Sequence, residues 1–296
     1  MLINKIGEFA LIEYFKKRIK VDSSVIKGIG DDCAVIRFKK DRYILFSSDM
    51  LVEGVDFQSN TPAYLIGRKS LGVVLSDIAS CGGIPKYALL SLGFSPRLDF
   101  NFIKELLRGF LDLARKFKVN LVGGDLSRAE NLTIDVSILG EVEKRFLVLR
   151  EGAKKGDVIF VSGPLGGSIK KKHLRFIPRI KEARFLVKNF KINSMIDISD
   201  GLVQDLSHIL KENNLSAVIY EDLIPLSAEA KGINSALYDG EDFELLFPVP
   251  LKEAKNLSKL KKFFPIGELT KGRNEIVLIK KNGKEVLLKV RGFRHF

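Results

Sequence analysis

Short acidic motifs recur along most of this 296-residue chain, and most of them follow an apolar, strand-like run. A strand holds a carboxylate rigidly at its end, and the neighbouring glycines let another backbone or a ligand approach closely. Several converging carboxylates would repel one another unless cations lay between them. Hard oxygen ligands without a Cys/His cluster suit Mg²⁺, which usually accompanies phosphates. The motifs are Gly30-Asp31-Asp32, Ser47-Ser48-Asp49, Leu75-Ser76-Asp77, Gly123-Gly124-Asp125, Asp197-Ile198-Ser199-Asp200-Gly201 and Gly240-Glu241-Asp242.

The chain has a formal net charge of +13, so the clustering of acidic residues is not a consequence of an acidic composition. The same positive charge raises nucleic-acid binding as an alternative function. The basic runs, such as Lys170-Lys171-Lys172, are scattered and have no interleaved aromatic residues, so no nucleic-acid partner is expected. Two cysteines, Cys33 and Cys81, cannot build a disulfide framework, which predicts a cytoplasmic protein. Neither a signal peptide nor an apolar stretch of about 20 residues is present, so no membrane association is expected.

Strand-like and helical patterns alternate in both halves of the chain and predict an α/β (α+β) protein of two domains. Apolar residues at helical spacing predict a helix over 62–80, and Asn282-Gly283 predicts a hairpin turn. Charge and glycine content rise over 143–156. We therefore predict an N-terminal domain over 1–142 and a C-terminal domain over 143–296, with the second completing the site.

Several other enzyme classes are poorly supported. The chain has no phosphate-binding P-loop motif, and Gly28-Ile29-Gly30 is not completed to a dinucleotide-binding motif because Cys33 occupies the last position. A Gly-x-Ser-x-Gly nucleophile motif is also absent. With only three histidines, imidazole-based catalysis and zinc sites are not favoured.

The motif series resembles thiamine-monophosphate kinases over essentially the whole chain. The resemblance extends to the residues that follow three of the motifs: Cys33-Ala34 after the first, Leu202 after the fifth and Phe243-Glu244-Leu245 after the last. That family belongs to the aminoimidazole ribonucleotide synthetase-like superfamily. The resemblance implies two α/β domains and a homodimer built through N-terminal strands. It also implies ATP-dependent phosphorylation of thiamine monophosphate to thiamine diphosphate, by direct in-line transfer assisted by several Mg²⁺ ions. Another superfamily member, such as aminoimidazole ribonucleotide synthetase, remains the alternative enzyme.

The same resemblance assigns residues to ligands. Positions that match the family's ATP-binding residues are Gly124, Asp125, Arg150 and Ser199, and positions near the thiamine portion are Asp56, Glu241 and Phe293. No catalytic general base is expected, because the acceptor would be a phosphate oxygen that is already ionised near pH 7. The positions that match Mg²⁺ ligands are Asp32, Ser47, Ser48, Asp49, Asp77, Asp125, Asp197 and Asp200.

The chain departs from the family pattern at one place. Only residues 169–172 separate Ser168 from His173-Leu174-Arg175, where the family usually carries a longer helical stretch. The shortening puts that helix in doubt but leaves the acidic motifs intact.

Overall fold

The computed structural model describes residues 5–293, so the outer limits of both predicted domains lie outside the described residues. It contains two seven-stranded β-sheets with helices packed against them, a mixed α/β architecture as predicted. The elements of the first half are α1 (Glu8–Lys16), β1 (Val25–Lys27), β2 (Ala34–Lys39), β3 (Arg42–Val52), α2 (Ala63–Ser80), β4 (Ile84–Phe94), α3 (Phe100–Phe117), β5 (Asn120–Gly123), β6 (Leu126–Arg128) and β7 (Thr133–Glu143).

The first sheet has the strand order β1-β2-β3-β7-β4-β5, and β6 also pairs with β4. Strand β7 lies antiparallel to both β3 and β4. Every second residue of β7 is buried, which is the alternation expected when one face of an antiparallel sheet covers a core. The opposite face, which we call the outer face, exposes 43–56% of the surface of its large apolar residues, Phe46, Met50, Tyr87 and Leu89.

Helix α2 lies against the inner face of the first sheet and is buried along most of its length. Most of its residues are apolar or small, which suits a helix that is buried on most sides. Its contact with α3 is unusually close: a Cβ added to Gly67 would lie 1.9 Å from the carbonyl oxygen of Leu106, so only glycine fits there. The Asp99 side chain caps the start of helix α3, where it accepts a hydrogen bond from the amide of Asn101 at 2.8 Å.

The second sheet has the order β14-β13-β10-β12-β8-β11-β9. Its last hairpin confirms the predicted turn, since β13 and β14 are antiparallel and Gly283 has a φ of 79°. The elements of this half are β8 (Val158–Val161), α4 (Lys172–Arg175), α5 (Ile180–Asn189), β9 (Ile196–Asp197), α6 (Leu202–Asn213), β10 (Leu215–Tyr220), α7 (Ile233–Tyr238), β11 (Leu245–Val249), α8 (Leu251–Ser258), β12 (Phe264–Lys271), β13 (Ile276–Ile279) and β14 (Glu285–Leu287).

The apolar core is continuous between the two halves. One buried cluster joins Val74 of α2 to Leu186 of α5 and Phe247 of β11, while a second cluster lies wholly in the second half. The division at 142/143 therefore stays a prediction from sequence. Among residues 5–293, no helix combines the length and apolar character that crossing a membrane requires.

One local expectation needs correction. Strand β3 continues to Val52, so Asp49 lies inside a strand, whereas a strand end was expected. Asp77 lies in the last turn of α2, within the helix predicted over 62–80. The shortened segment after Ser168 lacks a longer helix, in line with the doubt raised by the sequence, and keeps only a 3₁₀ turn over Ser168–Lys170 and the four-residue α4.

Candidate active site

Four of the predicted metal ligands converge in the cleft between the two halves. Asp32 comes from the loop between β1 and β2, Asp49 from β3, Asp77 from α2 and Asp197 from the end of β9. Helix α2 helps to fix two of them: its Ser76 hydroxyl donates to Asp197 Oδ2 at 2.5 Å, and its Asp77 accepts a hydrogen bond from the Ser47 hydroxyl. We call these four carboxylates the aspartate cluster.

The electrostatics of the aspartate cluster show that its negative charges are close together and poorly solvated. Burial, followed by the charge of Asp32, raises the pKa of Asp197 to about 8 and that of Asp49 to about 6. Burial and the charges of Asp49, Asp197 and Asp32 raise the pKa of Asp77 well above its ordinary value. Each carboxylate therefore disfavours the ionised form of its neighbours.

The guanidinium of Arg150 partly compensates the cluster. Arg150 Nε donates to Asp32 Oδ1 at 3.0 Å, and the Arg150 amide donates to Asp31 Oδ2 at 3.1 Å. The other carboxylate oxygen of Asp32, Oδ2, is buried and has no hydrogen-bond partner among the described residues. Leaving a buried acceptor unpaired is costly. An orphaned oxygen within an all-oxygen donor set suits a hard divalent cation, so these residues fit the predicted Mg²⁺.

Not every predicted ligand joins the cluster. Ser47 points inward with Asp49, but Ser48 points to the outer face of the first sheet, where its hydroxyl donates to Asp135 Oδ2 at 2.9 Å. Asp125 is exposed between β5 and β6 and lines neither of the two cavities described below. Its neighbour Gly124 is required by space, because an added Cβ would lie 1.7 Å from the Leu90 carbonyl oxygen.

Asp200, another predicted metal ligand, lies beside Asp205 and His208. Possible ligand atoms of Asp200, Asp205 and His208 lie within 4.8 Å of one another. Asp205 Oδ2 accepts hydrogen bonds of 3.1 Å from the amides of Asp200 and Gly201, so it caps the start of α6. Burial lowers the pKa of His208 to about 3, which leaves the ring neutral.

A cavity of about 510 Å³ opens beside the aspartate cluster, and we call it the first cavity. All three residues predicted to lie near the thiamine portion, Asp56, Glu241 and Phe293, line it together with Asp49, Asp77 and Asp197. The structure therefore brings these predicted positions together with most of the cluster.

Behind the first cavity lies a buried ionic network. The side chain of Lys69 is fully inaccessible and pairs with Glu241 Oε1. It also donates to the carbonyl oxygen of Asp56 at 2.7 Å. His173 Nδ1 lies 3.0 Å from Glu241 Oε2. Burial would raise the pKa of Glu241, but the His173 contact and the charge of Lys69 lower it below its ordinary value, so Glu241 is ionised at neutral pH.

A second cavity of about 580 Å³ lies between α1 and α6. Arg150 lines it, and Ser199 and Asp200 line both cavities. The turn that follows β9 therefore separates the two spaces, and the aspartate cluster lies next to that turn. Of the predicted ATP-binding positions, Arg150 and Ser199 line the second cavity, whereas Gly124 and Asp125 do not.

A separate buried acid has a different environment. Glu244 is 0% exposed. Arg179 binds it through Nε at 2.8 Å and Nη2 at 2.6 Å, and Lys172 Nζ lies 2.8 Å away. Ser162 adds a hydroxyl donor at 2.6 Å. Despite burial, these partners lower the pKa of Glu244.

Sequence reasoning missed Lys69, His173 and Asp205. Lys69 had a signal, because it occupies a position on α2 whose spacing is otherwise apolar and whose burial is complete. His173 opens the His-Leu-Arg run that follows the shortened segment, but nothing in that run assigns the ring a role, and Asp205 carries no local pattern that separates it from a capping residue.

Comparison with known proteins gives matches over most of the chain. The family model "AIR synthase related protein, N-terminal domain" matches residues 30–142, and the corresponding C-terminal domain model matches residues 154–280. The curated thiamine-monophosphate kinase of Buchnera aphidicola (subsp. Schizaphis graminum) is 37% identical over 324 aligned positions, covering 98% of this chain and 99% of the relative. The Aquifex aeolicus enzyme of the same name is 32% identical over 325 positions, with 100% of both chains covered.

Solved structures agree. AaThiL complexed with AMPPCP and TMP superposes with a TM-score of 0.88 at 31% identity, covering 100% of this chain and 99% of that one. The hydrogenase maturation protein HypE in complex with ATP has a TM-score of 0.73 at 18% identity and covers 88% of each chain, a likeness that supports the fold alone.

Proposed function

The chain belongs to the thiamine-monophosphate kinase family, and from this premise we propose that it transfers the γ-phosphoryl group of ATP to thiamine monophosphate, forming thiamine diphosphate. The observation that carries the proposal in this chain is the aspartate cluster, which lies beside a turn lining two cavities. Such an arrangement suits two phosphate-bearing substrates that meet at their phosphates.

The first cavity suits the acceptor. The carboxyl groups of Asp56 and Glu241 line it, and a cationic thiazolium ring would find negative charge there. Phe293 adds an aromatic surface, which suits a flat heteroaromatic ligand. The phosphate of the acceptor would then point towards Ser199 and Asp200.

The second cavity suits the nucleotide. Arg150 and Ser199 line it, and a guanidinium and a hydroxyl are common donors to phosphate oxygens. A triphosphate entering from this side would reach the same turn that the acceptor phosphate approaches. The complex of AaThiL with AMPPCP and TMP supports simultaneous occupation by a nucleotide analogue and an acceptor in a relative.

Asp32, Asp49, Asp77 and Asp197 would hold Mg²⁺ ions, with the Ser47 hydroxyl as a neutral neighbour. When bound, Mg²⁺ neutralises phosphate charge and favours the transfer electrostatically. The acceptor oxygen is already ionised near pH 7, so the chain needs no general base. Its own residues would bind and align the two substrates, which is where the catalytic advantage of a positioned transfer comes from.

We also propose a homodimer that pairs through the outer face of the first sheet. The exposed side chains of Phe46, Met50, Tyr87 and Leu89 support an interface there, because a monomer rarely exposes so many large apolar groups on one face of a sheet. Ser48 points to this face and Asp125 is exposed on the same sheet. A second copy is therefore a means by which these two predicted ligands could enter a metal site.

The experiment that tests the proposed function is ATP consumption by the purified protein, with Mg²⁺ present, against a panel of phosphorylated acceptors. We expect thiamine monophosphate to be used far better than thiamine or unrelated phosphomonoesters. A different preferred acceptor would favour another member of the superfamily. Salt-sensitive nucleic-acid binding without acceptor-dependent ATP consumption would favour the nucleic-acid alternative.

A further inference from the structure

Lys69 is the most deeply buried cation in the described part of the chain. Packing alone does not explain its role. Its side chain is 0% exposed, although lysine is almost never fully buried without a partner. It does not line the first cavity, whereas the two acids that it contacts do. Its contacts join α2 of the first half to residue 241 of the second half.

Lys69 Nζ contacts two of the acidic residues that line the first cavity, one at its side chain and the other at its main chain. It pairs with the side chain of Glu241 and donates to the main-chain carbonyl of Asp56 at 2.7 Å. The carboxyl group of Asp56 is held separately, because its Oδ2 accepts from the Val52 amide at 2.7 Å. One ammonium therefore fixes the backbone at one acid and the carboxylate of the other.

The backbone at Glu241 requires such support. Its φ of 54° lies in the left-handed region, which is uncommon for a residue other than glycine. The Glu241 amide donates to the Ser199 carbonyl at 2.6 Å, so the loop is tied to the turn that separates the two cavities. A side chain held from behind by a buried cation keeps its orientation when no acceptor is bound.

We propose that Lys69 is a positioning residue for the acceptor: it holds Glu241 and the Asp56 segment in the arrangement that receives the cationic part of the substrate. The proposal rests on the proposed function and extends it to a residue that touches no substrate. Lys69 acts through Glu241, and this dependence distinguishes it from a residue that merely stabilises the fold.

The experiment combines Lys69→Met, Glu241→Gln and the double variant with a matched control, Arg68→Met. Arg68 is adjacent to Lys69 on α2 and also bridges the halves, through a 2.9 Å hydrogen bond to the Phe176 carbonyl. It forms no hydrogen bond or ion pair with Asp56 or Glu241 among the described residues. Kinetic constants for thiamine monophosphate and for ATP are measured for each variant with Mg²⁺ present.

We expect Lys69→Met to raise the KM for thiamine monophosphate about 10- to 100-fold, the range of a lost charge-assisted hydrogen bond, with the KM for ATP changed by about twofold or less. The double variant should be no worse than Glu241→Gln alone, because Lys69 acts through that carboxylate. Additive losses, or equal losses for Arg68→Met and Lys69→Met, would overturn the proposal and leave Lys69 as a structural residue.

Urea unfolding of the same four proteins keeps the test independent of the assigned reaction. We expect each single variant of the pair to lower the unfolding midpoint and the double variant to recover part of the loss, since neither charge is then left alone. No recovery would contradict the pairing itself. A wild-type protein that shows no acceptor-dependent ATP consumption would overturn the proposed function, and the acceptor role of Lys69 with it, while the unfolding cycle still decides the pairing.

Discussion

Two groups of buried acids in this molecule have opposite electrostatic environments. Glu244 is completely buried, yet its pKa is lowered because Arg179, Lys172 and Ser162 surround it. In the aspartate cluster the pKa values are raised, and one oxygen of Asp32 has no partner among the described residues. Both groups are buried, so burial alone does not explain the difference.

The difference indicates which acids serve the fold and which serve a ligand. A carboxylate that a fold needs for its own stability is paired within the chain, because an unpaired buried charge is expensive. Carboxylates whose negative charges are only partly compensated in the cleft reduce the stability of the ligand-free protein and are explained by cations that come from solution. The following predictions test this contrast, beginning with the largest expected effect.

Glu244→Gln should lower the free energy of unfolding by about 3–5 kcal/mol, because it leaves Arg179 and Lys172 without their buried partner. Urea denaturation measures the loss. Glu182→Gln is the matched control, since the Glu182–Lys262 pair is more exposed, at 3.7 Å, and should cost less than about 1 kcal/mol. Similar losses for both variants would remove the structural role assigned to Glu244.

Asp49→Asn should reduce kcat by about 100-fold or more, the scale of a lost electrostatic contribution to a transition state. The unfolding free energy without metal should be unchanged or higher, because one repulsive charge has been removed. Asp41→Asn, on an exposed turn, should leave both quantities unchanged. Wild-type turnover by Asp49→Asn at limiting Mg²⁺ would exclude Asp49 as a ligand.

The metal-free protein should lose stability as the pH rises. The unfolded chain releases the proton of Asp197 near its ordinary pKa of 3.8, whereas the folded protein holds it to about 8. The folded state therefore binds more protons between these values, and its stability should fall by about 1 kcal/mol per pH unit over pH 6 to 8.

Unfolding in a chelating buffer at three pH values measures this slope. Saturating Mg²⁺ should flatten it, because bound cations replace the protons. A stability that rises over this range without metal would contradict the raised pKa values of the cluster.

Asp56→Asn should give the smallest effect, about a tenfold rise in the KM for thiamine monophosphate with little change for ATP, as expected for one partly exposed charge near a cation. The asparagine keeps an oxygen that can accept from the Val52 amide. Glu53→Gln is the control, because Glu53 Oε2 accepts from the Leu132 amide and does not line the first cavity. Equal changes in both KM values would assign Asp56 a structural or metal role.

A related test concerns the outer face. If Asp125 acts from a second copy, Asp125→Asn and Asp49→Asn should each be inactive alone, while mixed dimers regain part of the activity. Size-exclusion chromatography with light scattering establishes whether a dimer exists. A monomer with full activity would contradict both the interface and the placement of Asp125.

Much of this architecture could be predicted from sequence, for identifiable reasons. The spacing of apolar residues over 62–80 reports a buried helix, and Asn282-Gly283 reports a hairpin, because both signals are local. Local signals did not indicate that β3 continues past Asp49, since a polar run inside a strand resembles a strand end. The ligand set itself followed from the family resemblance.

The sequence could not predict which residues far apart along the chain contact each other in the folded protein. Lys69 and Glu241 are 172 positions apart and meet only after both halves fold. The separation of Ser48 from Ser47 follows from strand alternation, which becomes informative once the inner face is known. The exposure of Asp125 likewise could not be predicted, because it follows from the position of Asp125 between β5 and β6, at an edge of the first sheet that a single chain does not cover.

The most direct test of the account is the melting temperature of the wild-type protein with Mg²⁺ alone, AMPPCP alone and both together, at fixed ionic strength. If the aspartate cluster and the nucleotide phosphates share one site, each ligand relieves the repulsion that opposes the other. We predict a rise with both ligands that exceeds the sum of the separate rises, and its loss in Asp49→Asn. Additive or absent shifts would contradict a composite metal–phosphate site in this cleft.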